Sequence, residues 1–204
     1  MRHFASHDLT KKQQYKFLSG AIIPRPIAWI TTQNQDGLVN AAPFSFFSGA
    51  SNELPLATLA ILRKNGVLKD SARNILEQQE LVIHFVNETV VADMNQTAAN
   101  LAPEESEVVV NKLATISSQT VAVPGLTAAP IRMEAVLHQY LPIKDGERVL
   151  TDLFVVRITD FYFDESLFDA EREYILPESF APIARLAGNH YANISDFFEL
   201  ERPQ

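Results

Sequence analysis

The chain of 204 residues contains no cysteine. That absence removes disulfide scaffolds, thiolate nucleophiles and cysteine-held zinc or iron–sulfur centres together. Positive charge is scarce as well: 17 Lys and Arg against 25 Asp and Glu leave a net charge of −8 and a pI near 5.1. A phosphate backbone or an anionic bilayer needs a broad cationic face, so neither nucleic acid nor membrane is expected as the main partner. No segment offers the roughly 20 uninterrupted apolar residues of a spanning helix, and the opening MRHFASHDLTKKQQYK has no apolar run of signal-peptide length. A soluble, cytoplasmic protein is the expectation.

The common nucleotide and hydrolase fingerprints are missing too: there is no GxGxxG after a strand, no GxxxxGK[ST], no HExxH and no GxSxG. Among the five histidines only His3 and His7 have metal-ligand spacing, and they lie at the N-terminus, so no metal site is expected. His84 and His138 sit inside apolar strands and read as satisfied core or edge residues.

What is present is an apolar content of 47%, enough for a full core, in a length that suits one domain over residues 1–204. Thr10 is placed to cap a helix running to about Ser19, with Gly20 ending it. Ile27 to Thr32 is β-branched and aromatic, and NQDG at Asn34 to Gly37 supplies hairpin turn chemistry. Pro55 to Leu62 and Leu81 to Asn87 read as buried strands. Between them KDSARNILEQQ, Lys69 to Gln79, has helical spacing behind Asp70 or Ser71 as cap. An Ala-rich piece from Val90 to Asn100 looks helical, and the acidic PEESE reads as a loop leading to another short helix. Long strands are expected over Pro130 to Ile143 and Val149 to Asp164, joined at Asp145-Gly146. The tail shows no strong periodicity and is expected to wrap a surface or meet a partner. Hairpins with a few helices, lacking regular strand–helix alternation, predict a mainly antiparallel sheet closed as a barrel, mainly β with peripheral helices.

Two local features bear on chemistry. Between positions 63 and 73 four cations, Arg63, Lys64, Lys69 and Arg73, meet one carboxylate, Asp70, in a chain that is otherwise acidic. A strand end, an Asn-Gly turn and a helix start beside Lys69 and Ser71 make an arrangement that suits a phosphate monoester; it also suits a solvated helix start with incidental lysines. The second feature is the run from Asn40 to Ser48, poor in side-chain bulk and interrupted by Pro43. It suits a wall against which a flat ligand lies, or an edge strand guarded by a proline. Taken together, the wall and the cradle describe a planar heterocycle with a phosphate tail.

PRPIAWITT (Pro24 to Thr32), DGLVNAAPFSFFSGASNELP (Asp36 to Pro55), KDSARNI (Lys69 to Ile75), FVNE (Phe85 to Glu88) and ARLAGNHY (Ala184 to Tyr191) resemble, in order, the flavin reductase-like family of FMN-binding split β-barrels. The resemblance implies an antiparallel Greek-key split β-barrel, a homodimer, and FMN near the dimer interface. It implies that Asn40, Ala41, Ala42, Pro43, Phe44, Ser45 and Ser48 line the flavin and its ribityl chain, with Thr31 and Thr32 nearby. Arg63, Lys69, Asp70, Ser71 and Asn74 would surround the phosphate, and Arg185, Gly188, His190 and Tyr191 would close the site. Ala187-Gly188 stands where many relatives carry paired glycines, and Ser71 where many carry threonine. The implied activity is an FMN-dependent oxidoreductase that accepts hydride from NAD(P)H and passes electrons to free flavin or another small-molecule or protein acceptor. The alternative is a non-enzymatic FMN-binding protein or electron carrier. Because a bound flavin carries the redox chemistry, no catalytic side chain is named.

Overall fold

The β-branched run around Ile30 forms strand β1 (Ala28–Gln33), and the chain turns back into β2 (Val39–Phe44). The Asn34 side chain accepts hydrogen bonds from the Asp36 and Leu38 N–H groups, while Gly37 takes φ +84°, which side-chain-bearing residues rarely adopt. The computed structural model describes residues 1–203. After β2 come β3 (Phe47–Gly49), β4 (Leu56–Leu62) and β5 (Glu80–Phe85), then two short strands, β6 (Thr115–Ile116) and β7 (Gly125–Leu126). A long hairpin of β8 (Ile131–Asp145) and β9 (Arg148–Phe163) follows; β10 (Phe168–Asp169) pairs with β11 (Tyr174–Ile175), and β12 (Ile183–Arg185) with β13 (Tyr191–Asn193).

Seven strands make one antiparallel sheet in the order β2-β1-β5-β8-β9-β4-β3. Its two edge strands, β2 and β3, are consecutive in the chain and separated only by Ser45 and Phe46. The chain thus passes directly from one edge of the sheet to the other, so the sheet must curl until its edges approach. The result is a curled half-barrel, cut at residues 45 and 46. Closure comes from the continuous chain, where a fully closed barrel would have a ladder.

The concave face holds the main core: Ile30, Phe44, Leu59, Ile61, Leu81, Ile83, Phe154 and Val156, with Ala72 and Ile75 of helix α2 (Asp70–Gln78). Complete burial of Ile75 contributes about 2 kcal/mol and fixes which face of the helix points inward. A second cluster lies on the other face of β1, around Trp29, Ala41, Val86, Met94 and Val108. Here the middle of the chain is anchored, with helix α3 over Val91–Gln96 and helix α4 over Glu107–Val110. α3 is shorter than the expected helix because Thr97 ends it: its hydroxyl donates to the Met94 carbonyl and accepts the Trp29 indole N–H at 2.9 Å. Helix α1 (Lys11–Ala21) begins at Thr10 with a reciprocal capping box to Gln13, as the sequence predicts. The tail is more ordered than its composition indicates. A short helix α5 (Pro177–Phe180) leads into the β12–β13 hairpin, whose Ile183 packs into the second cluster and donates its N–H to Val86. No helix among the described residues is long and apolar enough to cross a membrane.

His84 is fully buried in β5. Its Nδ1 lies 2.8 Å from the Trp29 carbonyl and its Nε2 accepts the Leu126 N–H at 2.8 Å, which fixes a neutral ring with the proton on Nδ1. Burial lowers its pKa to about 4, against an upward pull from the Trp29 carbonyl and a further downward push from Arg132. The unfolded chain therefore binds the extra proton first, and stability present above about pH 6.5 is expected to fall by roughly 3 kcal/mol as pH drops through 4. Urea titrations at pH 7 and pH 4.5 check this; a flat profile would show that the ring is accommodated as a cation.

Candidate functional site

The start of α2 gathers several cationic side chains. The N-cap is Lys69, not Asp70 or Ser71 as the sequence pattern suggested, and no side chain caps the first turn. Asp70 is drawn instead to Arg73, with Oδ1 2.6 Å from Nη1, so its carboxylate is held away from the first-turn amides. Those N–H groups form the positive end of the helix and stand beside Lys69 and the nearly buried Ser71. Lys69 is solvent-exposed, with its Nζ 5.4 Å from the centroid of the Phe44 ring. Desolvation, and then the neighbouring Lys64, push its pKa below the usual lysine value. An anion at this place would relieve both penalties.

A cleft of 480 Å³ opens here. Clefts of roughly 300–1,000 Å³ hold small-molecule cofactors, so the space is adequate. One wall is β2, with Asn40, Ala42, Pro43 and Phe44. The basic end carries Lys64, Lys69, Ser71 and Arg73, with Asp70 among them, and the opposite wall is the segment from Thr97 to Leu101 together with Glu107. A smaller hollow of 110 Å³ shares Pro43, Phe44 and Lys69 and extends past Ser45 to Tyr15. A groove of 660 Å³ on the other side of the Asp70–Arg73 pair sets Asp36, Asp70, Glu77 and Glu104 against Arg73, the wrong sign for a phosphate. Small side chains along one wall and cationic groups at one end fit a planar ring carrying an anionic tail.

Both accounts of the Asn40–Ser48 run prove compatible. β2 is an edge strand, and Pro43 pairs opposite Trp29 at an outward position where a missing N–H costs no ladder bond. The same strand lines the cleft.

The expected site residues divide into three groups. Asn40, Ala42, Pro43, Phe44, Lys69, Asp70 and Ser71 line the cleft, and Ser45 lines the adjoining hollow. Thr32 and Asn74 lie buried beneath the wall: Asn74 Nδ2 donates to Thr32 Oγ1 at 3.1 Å and to Asn40 Oδ1 at 3.2 Å. Ala41 turns its methyl into the Trp29 cluster. The others point elsewhere. Thr31 is buried and donates to the Pro124 carbonyl at 2.7 Å, because alternation along β1 sends it to the opposite side from Thr32. Ser48 is exposed and bonds to the Gly49 carbonyl. Arg63 does not line this cleft: its guanidinium grips the buried Asp152 through two bonds of 2.8 Å, and Tyr140 donates to the same carboxylate. Arg185 donates to the Gly188 carbonyl and lies 4.4 Å from the Tyr191 ring, while His190 bonds to the Ala187 carbonyl; both belong to the β12–β13 turn and line none of this cleft. Arg25 links that hairpin to the adjoining hollow, donating to the Leu186 carbonyl at 2.9 Å and to Ser45 Oγ at 3.5 Å.

Lys64 and Arg73 belong to the charge island visible in the sequence, yet the site expected by resemblance omitted them. Thr97 to Leu101 and Glu107 carried no sequence signal at all, since only the fold brings them to β2.

A curled antiparallel half-barrel with such a cleft beside its cut edge defines a split barrel. The chain belongs to the flavin reductase-like family: the family's "Flavin reductase like domain" matches residues 19–183. Over 201 residues it is 43% identical to the uncharacterized protein YwrF of Bacillus subtilis (strain 168), covering 98% of each chain. Among solved structures it superposes on nitrilotriacetate monooxygenase component B from Bacillus cereus with a TM-score of 0.95 and 40% identity, covering 98% of both chains. It also superposes on the 2-nitrobenzoate 2-nitroreductase NbaA of Pseudomonas fluorescens with a TM-score of 0.89 and 31% identity, covering 99% of this chain and 96% of that one.

Proposed function

We propose that the chain is an FMN-dependent oxidoreductase that accepts hydride from NAD(P)H and passes electrons to free flavin or another acceptor, acting as a homodimer. The observation that carries this reading is the cleft itself, which joins a low-relief wall on β2 to an uncapped, cation-flanked helix start. Family membership supplies the redox class. The two related structures support two kinds of acceptor, since one is named as a monooxygenase component and the other as a nitroreductase.

The residues divide the work. Lys64, Lys69 and Arg73, with the α2 amides and the Ser71 hydroxyl, would hold the phosphate. Ala42 and Pro43 leave room for the ring face, and Phe44 closes one end of the wall. Thr97 to Leu101 would shield the opposite side from water. When bound, the flavin supplies the hydride and electron transfer, and a nicotinamide needs only an open ring face.

The test is spectroscopic. Purified protein, or protein supplied with FMN, is expected to show bound-flavin absorbance that bleaches on anaerobic mixing with NADH or NADPH. Bound flavin that neither nicotinamide reduces would leave an FMN-binding protein or electron carrier. Protein that takes up no FMN would sink the flavin reading altogether.

A further inference from the structure

The outer edge of β2 is finished by side chains from α4. Ser106 donates its hydroxyl to the Val39 carbonyl and accepts the Val109 N–H, capping the helix. Next to it, Glu107 Oε2 accepts the Ala41 N–H at 3.2 Å and Asn40 Nδ2 at 3.2 Å. A strand edge left with free groups is a liability, and blocking it explains Ser106 and half of Glu107. It does not explain why the acceptor is a carboxylate or why it also binds a side chain.

Following the bonds inward gives a reason. Glu107 accepts from Asn40, Asn40 accepts from Asn74, and Asn74 donates to Thr32 as well. Asn40 stands on the wall of the cleft, whereas Asn74 stands on α2, one turn after its uncapped start. A single chain of bonds therefore ties the carboxylate to the strand that would carry the ring and to the helix that would carry the phosphate. Asn40 and Asn74 are 5% and 2% exposed, so water does not compete for these bonds. Burial pushes the Glu107 carboxyl above its usual range, and its own backbone, the Ala41 N–H and Asn40 oppose that rise. The fold has placed an acid where solvation is poor and given it two donors to hold.

We propose that Glu107 is a positioning residue that sets the spacing between the ring wall and the phosphate cradle, acting through Asn40 and Asn74 so that FMN is held at both ends at once. This assignment rests on the flavin reading above. Two ends of one ligand reinforce each other only when the distance between their sites matches the ligand, so loss of the tie should cost FMN more than riboflavin, which has only one end to place.

The experiment measures FMN and riboflavin affinities by flavin fluorescence quenching, with thermal melts alongside, for the wild type and for Glu107→Ala and Glu107→Gln. Glu107→Ala is expected to lower the FMN-to-riboflavin affinity ratio about tenfold with every cation intact, whereas Glu107→Gln, whose carbonyl oxygen can accept both donors, should keep it within about twofold. An alanine variant that melts lower but keeps the wild-type ratio would reduce Glu107 to an edge staple and overturn the proposal. A glutamine variant that loses the ratio as alanine does would overturn it as well. Should the alanine variant fail to fold, Glu107→Asp, one methylene short of the donors, is expected to show the same fall, and an unchanged ratio there decides against it. A wild type that binds neither flavin removes the proposed function and this role together. A wild type that prefers FMN, beside variants that prefer it equally, removes this role alone.

Discussion

Replacing Arg63 by alanine is expected to destabilise the fold by about 3–5 kcal/mol while leaving the preference for FMN over riboflavin unchanged. Asp152 is fully buried, and its carboxylate is held by the two Arg63 bonds and by the Tyr140 hydroxyl. The same pairing pushes the Arg63 pKa up, chiefly through the bond to Asp152 and against the cost of burial. Taking away the guanidinium strands an anion in the core with one neutral donor, which is far costlier than deleting an exposed pair. Urea denaturation measures the loss. A double variant, Arg63→Met with Asp152→Leu, is expected to recover much of it, because apolar groups of similar volume need no compensating charge. A selective fall in FMN affinity for Arg63→Ala, with stability intact, would return Arg63 to the phosphate site.

The second large effect concerns the cations that do face the cleft. Lys64→Ala with Lys69→Ala is expected to weaken FMN binding about a hundredfold, the loss of two charge-assisted contacts, and riboflavin binding by less than about threefold. Equal losses for both flavins would place the phosphate elsewhere. A pH series adds an independent check. Because the Lys69 pKa is lowered in the free protein, its charge is lost at a lower pH than that of an ordinary lysine. The bound phosphate needs the charged form, so the advantage of FMN over riboflavin should decline as pH rises through that lowered value and should be flat below it until the phosphate itself takes up a proton at about pH 6. The Lys69→Ala variant is expected to lack that decline.

These two variants also show what one sequence can disclose. The places of Lys69 and Ser71 at the start of α2 were legible because they depend on neighbours along the chain: a turn, a helix start and a cluster of like charges. Arg63 sits in the same cluster, but its partner is Asp152, on the neighbouring strand β9, and no local pattern links them. Strands with strong periodicity, from Ile27 to the β8–β9 hairpin, were readable for the same reason, as was the Thr10 cap. The β12–β13 pair was not, since three-residue strands are too short to show alternation. Thr31 and Thr32 look equivalent as letters, and only the pleat sends one to Pro124 and the other to Asn74. Glu107 is the extreme case, because its meaning comes wholly from lying against the edge of β2.

The passage of the chain from β2 straight to β3 has a consequence for the order of assembly. The two strands are near neighbours in sequence, yet they lie at opposite ends of a series of ladders in which the link of largest sequence separation, β4 on β9, pairs Leu56 with Arg157. Bringing such distant segments together has a high loop-closure cost and comes late in folding. The cut edge, and the cleft beside it, cannot take their final shape until that link is made. If the cleft holds the flavin proposed above, its capture is reserved for chains whose long hairpin is already in register, and half-finished barrels offer the ligand no complete seat.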